Sequence, residues 1–300
     1  MIKPVAIQTL MNVRELVTDM SVVRRAPRQA HGSRKKSALA VRSVTWPRKA
    51  VDQGDGGGAL GPRSIMSLPP TLQALSIGAR DATNTLELYL DYLCPFSAKI
   101  FLNFHEHIAS MVSGNDARYR GQLRVVIRPV PQPWHASSTW LHETALAVAR
   151  LARSDEHMLE DPQTNAFWQY SVALMRESER WNDANVRAKS ADEVRAELTS
   201  LAVSLLGDDA RKSGSAPLVR LEGGQTLTEA VRGWTRVGEG NSGSRIVPDL
   251  KYCVKIGRQN SIHVTPTALW NGVVEPSVSS SFSREQWVQF LDERMPRANM

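Results

Sequence analysis

The chain has little cysteine, no long apolar run and, over one stretch, no acid at all. Only Cys94 and Cys253 occur among 300 residues. Two thiols exclude a scaffold stapled by several disulfides and a zinc site built from four cysteines. No run of about 18 apolar residues is present, so no segment reads as a transmembrane helix. Hydrophobic residues still make up 42% of the chain, enough for a packed core. The formal charge of +7 is unevenly placed. Residues 1–80 carry 13 Lys/Arg against 4 Asp/Glu, whereas 81–300 carry 24 against 26.

The acid-free stretch runs from Arg24 to Lys49 and is broken by Pro27, Gly32 and Pro47. Neither a 3.6 nor a 2.0 period persists through it, so residues 1–80 are expected to form a disordered basic extension. Glu15 and Asp19 fall where a mitochondrial presequence would place its basic amphipathic helix. The basic run around Arg24–Lys36 has no interleaved aromatics, and the remainder of the chain is slightly acidic, so neither nucleic acid nor a membrane is an expected partner. Met66 opens Met66-Ser67-Leu68-Pro69-Pro70 just before the first expected strand and reads as a second start. The expected location is the cytoplasm, or the mitochondrion if residues 1–65 act as a presequence.

Beyond the extension, Leu86, Leu88 and Leu90 alternate with Glu87, Tyr89 and Asp91, which predicts a strand over 84–91. Cys94-Pro95-Phe96-Ser97 follows, and then Ile100, Phe101, Phe104 and Ile108 recur at helical spacing. Pro95 suits the first turn of that helix, where its missing N–H would have no intrahelical partner. A second strand is predicted over 121–130. A block of helices follows over about 137–207, with a capping box at Ser190 and Glu193. Residues 208–247 read as loop with a weak helical piece near 226–234, and Pro248 opens another helix. Ile262-His263-Val264-Thr265-Pro266-Thr267 leads into a short hairpin turned at Asn271-Gly272. Ser283 and Gln286 cap the last helix. This order predicts an α/β fold, a mixed sheet with helices on both faces and a helical insertion.

A strand that delivers Cys94-Pro95-Phe96-Ser97 to a helix start, followed far downstream by Val264-Thr265-Pro266-Thr267 and an Asn-Gly hairpin, resembles the thioredoxin superfamily. The helical block makes the chain similar to the DsbA-like branch, which includes the kappa-class glutathione transferases. Pro133-Trp134-His135, Ser137-Ser138-Thr139 and His142-Glu143 are similar to a eukaryotic, mainly fungal, group within that branch. The resemblance implies a thioredoxin-like fold with an inserted all-helical subdomain over 81–300. It implies Cys94 as the nucleophile and Thr265-Pro266 as a cis bond that meets an extended peptide or thiol. Pro95, Phe96, Trp134 and His135 are candidate substrate contacts, His135 also a candidate base, with Trp134-His135 alternatively a packing corner at the entry to the helical block. Ser97 stands where a dithiol enzyme has its second cysteine, so it cannot resolve a mixed disulfide, though its hydroxyl can donate to a thiolate.

Elementary chemistry supports part of this. Unpaired N–H groups and the dipole at a helix N-terminus favour a thiolate, the reactive form of cysteine. The implied activity is that of a monothiol thiol–disulfide oxidoreductase acting on protein disulfides or glutathione adducts, with glutathione as co-substrate and no bound cofactor. A kappa-type glutathione transferase or isomerase and a non-catalytic thioredoxin-fold binding protein are the alternatives. Cys253 reads as a core residue, and His142 as a surface or capping residue. His105, His107 and Glu106 do not sit at metal-ligand spacing with a cysteine or carboxylate set, so no metal is expected.

Overall fold

The computed structural model describes residues 68–114, 117–208 and 218–295. The expected disordered extension, as far as residue 67, lies outside them. The folded chain begins before the expected boundary at 80. A 3-10 turn at Pro70–Leu75 and strand β1 (Ser76–Ile77) belong to the fold, and Leu72, Leu75 and Ile77 are completely buried. A two-residue strand is too short to show a period in sequence.

Strand β2 (Asn84–Leu90) runs into helix α1 (Pro95–His107), which crosses to β3 (Leu123–Pro129). β2 and β3 pair in parallel, with Leu86 beside Val125 and Leu90 beside Pro129. Among the described residues, six α-helices follow β3 ahead of the helix that returns the chain to the sheet. They are α2 (Ser138–Leu151), α3 (Glu156–Glu160), α4 (Ala166–Arg176), α5 (Asp183–Val186), α6 (Ala191–Leu206) and α7 (Leu227–Thr235). Helix α8 (Val247–Gln259) then leads to β4 (Thr267–Trp270), β5 (Val273–Val274) and α9 (Arg284–Arg294). The sheet order is β1-β3-β2-β4-β5, with β4 antiparallel to β2 and β5 antiparallel to β4. Asn271 and Gly272 both take positive φ, the conformation a two-residue hairpin turn demands. Among the described residues, no helix is long and apolar enough to cross a membrane.

The insertion is longer than the expected 137–207, because α7 belongs to it. The weak helical piece expected near 226–234 is this helix, within a stretch that Gly223, Gly224 and Gly233 otherwise mark as loop. A capping box at Thr226 and Glu229 starts the helix, and burial of Leu227, Ala230 and Val231 against α2 and α6 holds it. The caps at Ser190/Glu193 and Ser283/Gln286 form as expected. Phe167, Trp168 and Tyr170 lie in the core of the insertion.

The alternation in β2 does not separate a core face from a wet face. Leu86, Leu88 and Leu90 join the hydrophobic core, but Glu87 and Tyr89 on the other face are equally buried. Arg128 of β3 donates to Glu87 at 2.5 Å, and Asn260, just after α8, donates to the Tyr89 hydroxyl at 3.2 Å. Burial, reinforced by the Glu87 charge, pushes Tyr89 up to about 12. Helix α8 therefore covers a polar layer, while α1 and α9 meet through Phe104 and Trp287, whose rings lie 5.1 Å apart. Removing one member of a buried ion pair leaves the other uncompensated. Glu87→Ala is expected to cost about 3–5 kcal/mol, read as a lower urea midpoint at unchanged slope.

Candidate active site around Cys94

Cys94 is the N-cap of α1, with Pro95 at the first helical position. Its own N–H donates to Asp91 O at 3.1 Å and its carbonyl accepts from Ala98. Its thiol donates to the carbonyl of Thr265 at 3.3 Å. The Thr265–Pro266 peptide is cis, as the resemblance implied. The two segments that meet here are 171 residues apart in sequence. Gln132 closes a third side, its side-chain amide donating to Thr265 Oγ1 at 3.4 Å.

Behind the sulfur sits Asp91, a completely buried carboxylate. Its Oδ1 accepts from Leu93 N–H at 2.9 Å and from the Ser138 hydroxyl at 2.5 Å. Its Oδ2 accepts from Gln132 N–H at 2.8 Å and meets His135 Nδ1 at 2.8 Å. His142 Nε2 stands 3.7 Å from Oδ1, too far for a hydrogen bond, and neither ring nitrogen of His142 has a hydrogen-bond partner. The His142 ring packs on Tyr92, with centroids 4.6 Å apart. Burial alone would raise the Asp91 carboxyl. The His142 ring, the Ser138 hydroxyl and the Leu93 N–H outweigh it and hold the group well below the usual carboxylate range. An ionised carboxylate only accepts, so His135 Nδ1 donates in this contact.

Several expectations change here. Ser97 is buried, and its hydroxyl accepts from Asp91 N–H at 3.3 Å, which gives it a role in locking the strand-to-helix turn. His142, expected at the surface, is 1% exposed because it fills the space between Asp91 and Tyr92. Trp134 does not make a packed corner. It is 59% exposed, and Phe96 and Val264 are each 61% exposed. Phe96 and Val264 sit on the two segments that meet at the Cys94 sulfur, and Trp134 sits on the loop that Gln132 ties to Thr265. Cys253 is a free core cysteine, and burial pushes its thiol up to about 12 despite the nearby Arg128 charge. Among the described residues, no group of three or more His, Cys, Asp or Glu is placed to hold a metal ion.

Asp91, Gln132 and Ser138 went unread as site residues. The available signal was Asp91 two residues before Leu93. A carboxylate that bonds the N–H two residues on makes an Asx turn, which suits the bend before a helix.

The strand order, the crossover helix with Cys94 at its start, Thr265–Pro266 opposite it and the inserted helices make up a thioredoxin-like fold with an all-helical insertion. The sequence matches no protein-family model and no curated protein. Solved structures with a similar course include one from Pseudomonas syringae, provisionally described as a protein-disulfide isomerase. It is 24% identical, over 73% of this chain and 97% of that one, at TM-score 0.49. BdbD from Bacillus subtilis is 17% identical, over 74% and 93%, at TM-score 0.44. MdbA from Corynebacterium diphtheriae, a thiol-disulfide oxidoreductase, is 19% identical, over 71% and 84%, at TM-score 0.41. Likeness at this level concerns the course of the chain and assigns no chemistry.

The depressed Asp91 carboxyl makes a checkable statement about acid. A group held below its unfolded value contributes fully above about pH 4, and loses that contribution as pH falls through the depressed folded value. Asp91→Asn should therefore lower stability at pH 7 by about 3–5 kcal/mol and flatten its fall below pH 4. Urea titrations of both proteins across pH 2–7 measure this. An unchanged acid limb in the variant would contradict the assignment.

Proposed function

We propose that this protein is a monothiol thiol–disulfide oxidoreductase that works through Cys94 on protein disulfides or glutathione adducts. The observation that carries the reading is the sulfur at the N-cap of α1, 3.3 Å from the Thr265 carbonyl, with exposed Phe96 and Val264 on the two segments that meet there and exposed Trp134 on the loop that Gln132 ties to Thr265. A single thiol at a helix start, faced by an open backbone segment and an apolar rim, suits the capture of a cysteine within an extended polypeptide.

The exchange proceeds in two displacements. The Cys94 thiolate attacks one sulfur of a disulfide, so that a Cys94–substrate disulfide forms, the original sulfur–sulfur bond breaks, and the other sulfur leaves as a thiolate that takes up a proton. Ser97 cannot resolve that intermediate, and Cys253 is buried with its thiol raised. An external thiol must do so. Glutathione, abundant in a reducing compartment such as the cytosol, attacks the substrate sulfur and releases Cys94 as the thiolate. The helix N-terminus favours that leaving group.

One observation favours a non-catalytic binding protein instead. Cys94 is only 6% exposed, so a partner could occupy the apolar rim without reaching the sulfur. Mass spectrometry of the native protein treated with oxidised glutathione separates the two. The expected result is one glutathione per chain, mapped to Cys94, removed by reduced glutathione and absent in Cys94→Ala. Protein that stays unmodified at Cys94 while Cys94→Ala retains partner capture would establish the binding reading.

A further inference from the structure

A cleft of about 750 Å³ opens beside the site, between the loop after β3 and helix α8. Its near wall contains Gln132 and His135, the two residues that tie this loop to Thr265 and Asp91. Its far wall is α8, which presents Lys251, Lys255 and Arg258. These fall at i, i+4 and i+7 and so share one helix face. All three are exposed, and no carboxylate lines the cleft. Among the described residues, none forms an ion pair with them. Asp249, the single acid of α8, is engaged by Arg150 at 2.7 Å.

This arrangement is a local exception to the chain's charge. Residues 81–300 hold slightly more acid than base, 26 against 24. Arg258 lies in the last turn of α8, where a cation complements the helix dipole. Lys251 and Lys255 lie outside that turn, so the dipole does not account for them. Like charges at i, i+4 on one face repel each other. A cleft that begins at the residues touching Thr265 and Asp91, and whose cations have no counter-ion among the described residues, is suited to an anionic substrate segment.

Resting on the oxidoreductase reading, we infer that the α8 face selects substrates whose reacting cysteine is flanked by carboxylates, namely acidic peptide segments. Lys251 and Arg258 are about 10 Å apart along the helix axis. An extended peptide covers that span in about three residues. The favoured segment therefore carries two or more Asp or Glu within about four residues of its cysteine. Glutathione, with two carboxylates, is the smallest peptide of this kind. Phe96, Trp134 and Val264 hold the apolar part of the segment, and α8 reads its charge.

The test uses full-length Cys94→Ala, so that binding is read without thiol chemistry, and dye-labelled cysteine peptides of one length that are acidic, neutral or basic. Fluorescence anisotropy at low salt should show the acidic peptide binding about tenfold more tightly than the neutral one, the scale of three exposed ion pairs. The basic N-terminal segment also attracts acids, so a comparison of variants is decisive. Adding Lys251→Gln, Lys255→Gln and Arg258→Gln should close the gap. The charge-matched set Arg187→Gln, Arg232→Gln and Arg236→Gln should leave it open. A gap that is absent at the outset, or that survives the α8 substitutions, overturns the inference. Exchange of the wild-type thiol with a small neutral aromatic disulfide is measured in parallel. Its absence would count against the oxidoreductase reading alone, and its presence without acid preference would count against the α8 inference alone.

Discussion

The site depends on one buried carboxylate. Asp91 lies at the end of β2, where the chain must turn from strand to helix and place Cys94 at the helix start. Left alone in that apolar interior, a charged carboxylate would be heavily penalised. Four close donors and a histidine ring surround it instead, drawn from the turn itself, from the loop after β3 and from the start of α2. Each donor belongs to a segment that must be held to build the cleft. Satisfying the charge and assembling the site are therefore one event. Substitution of Asp91 would be felt as loss of position at Leu93, Gln132, His135 and Ser138, and through them at the sulfur.

The second face of the sheet is organised on the same principle. Glu87 and Arg128 cancel each other beneath α8, and Tyr89 finds its partner at the end of that helix. A polar layer of this kind contributes less to stability than apolar packing of equal volume, but it permits few alternative placements of α8. That matters because α8 also forms the charged wall of the cleft. Fixed charges inside and free charges outside lie on two sides of one helix.

How much of this was legible in sequence follows from how local each signal is. The capping boxes at Ser190 and Ser283 and the Asn271-Gly272 turn are complete within four residues, and all were readable. The same box at Thr226 opens α7, which showed in sequence only as a weak helical piece near 226–234, because adjacent glycines compete with local caps. Pairing of Cys94 with Thr265 came from resemblance alone, since nothing in spacing brings together residues so far apart. The burial of Asp91, Ser97 and His142 was not legible for a related reason. Their partners or their burial come from segments folded around them, and a polar residue in a strand or on a helix carries no local mark of being enclosed.

The 171 residues that separate Cys94 from Thr265 also set a schedule. Chains emerge at roughly 5–20 residues per second, so about 10–30 s pass between synthesis of the thiol and synthesis of the carbonyl that receives it. For that interval the sulfur has α1 but not its lid, and every helix of the insertion is made before the wall that encloses it. Newly made protein is thus at its most chemically exposed while still on the ribosome. The long insertion makes the surrounding thiol pool a condition of the protein's own maturation as well as of any reaction it later performs.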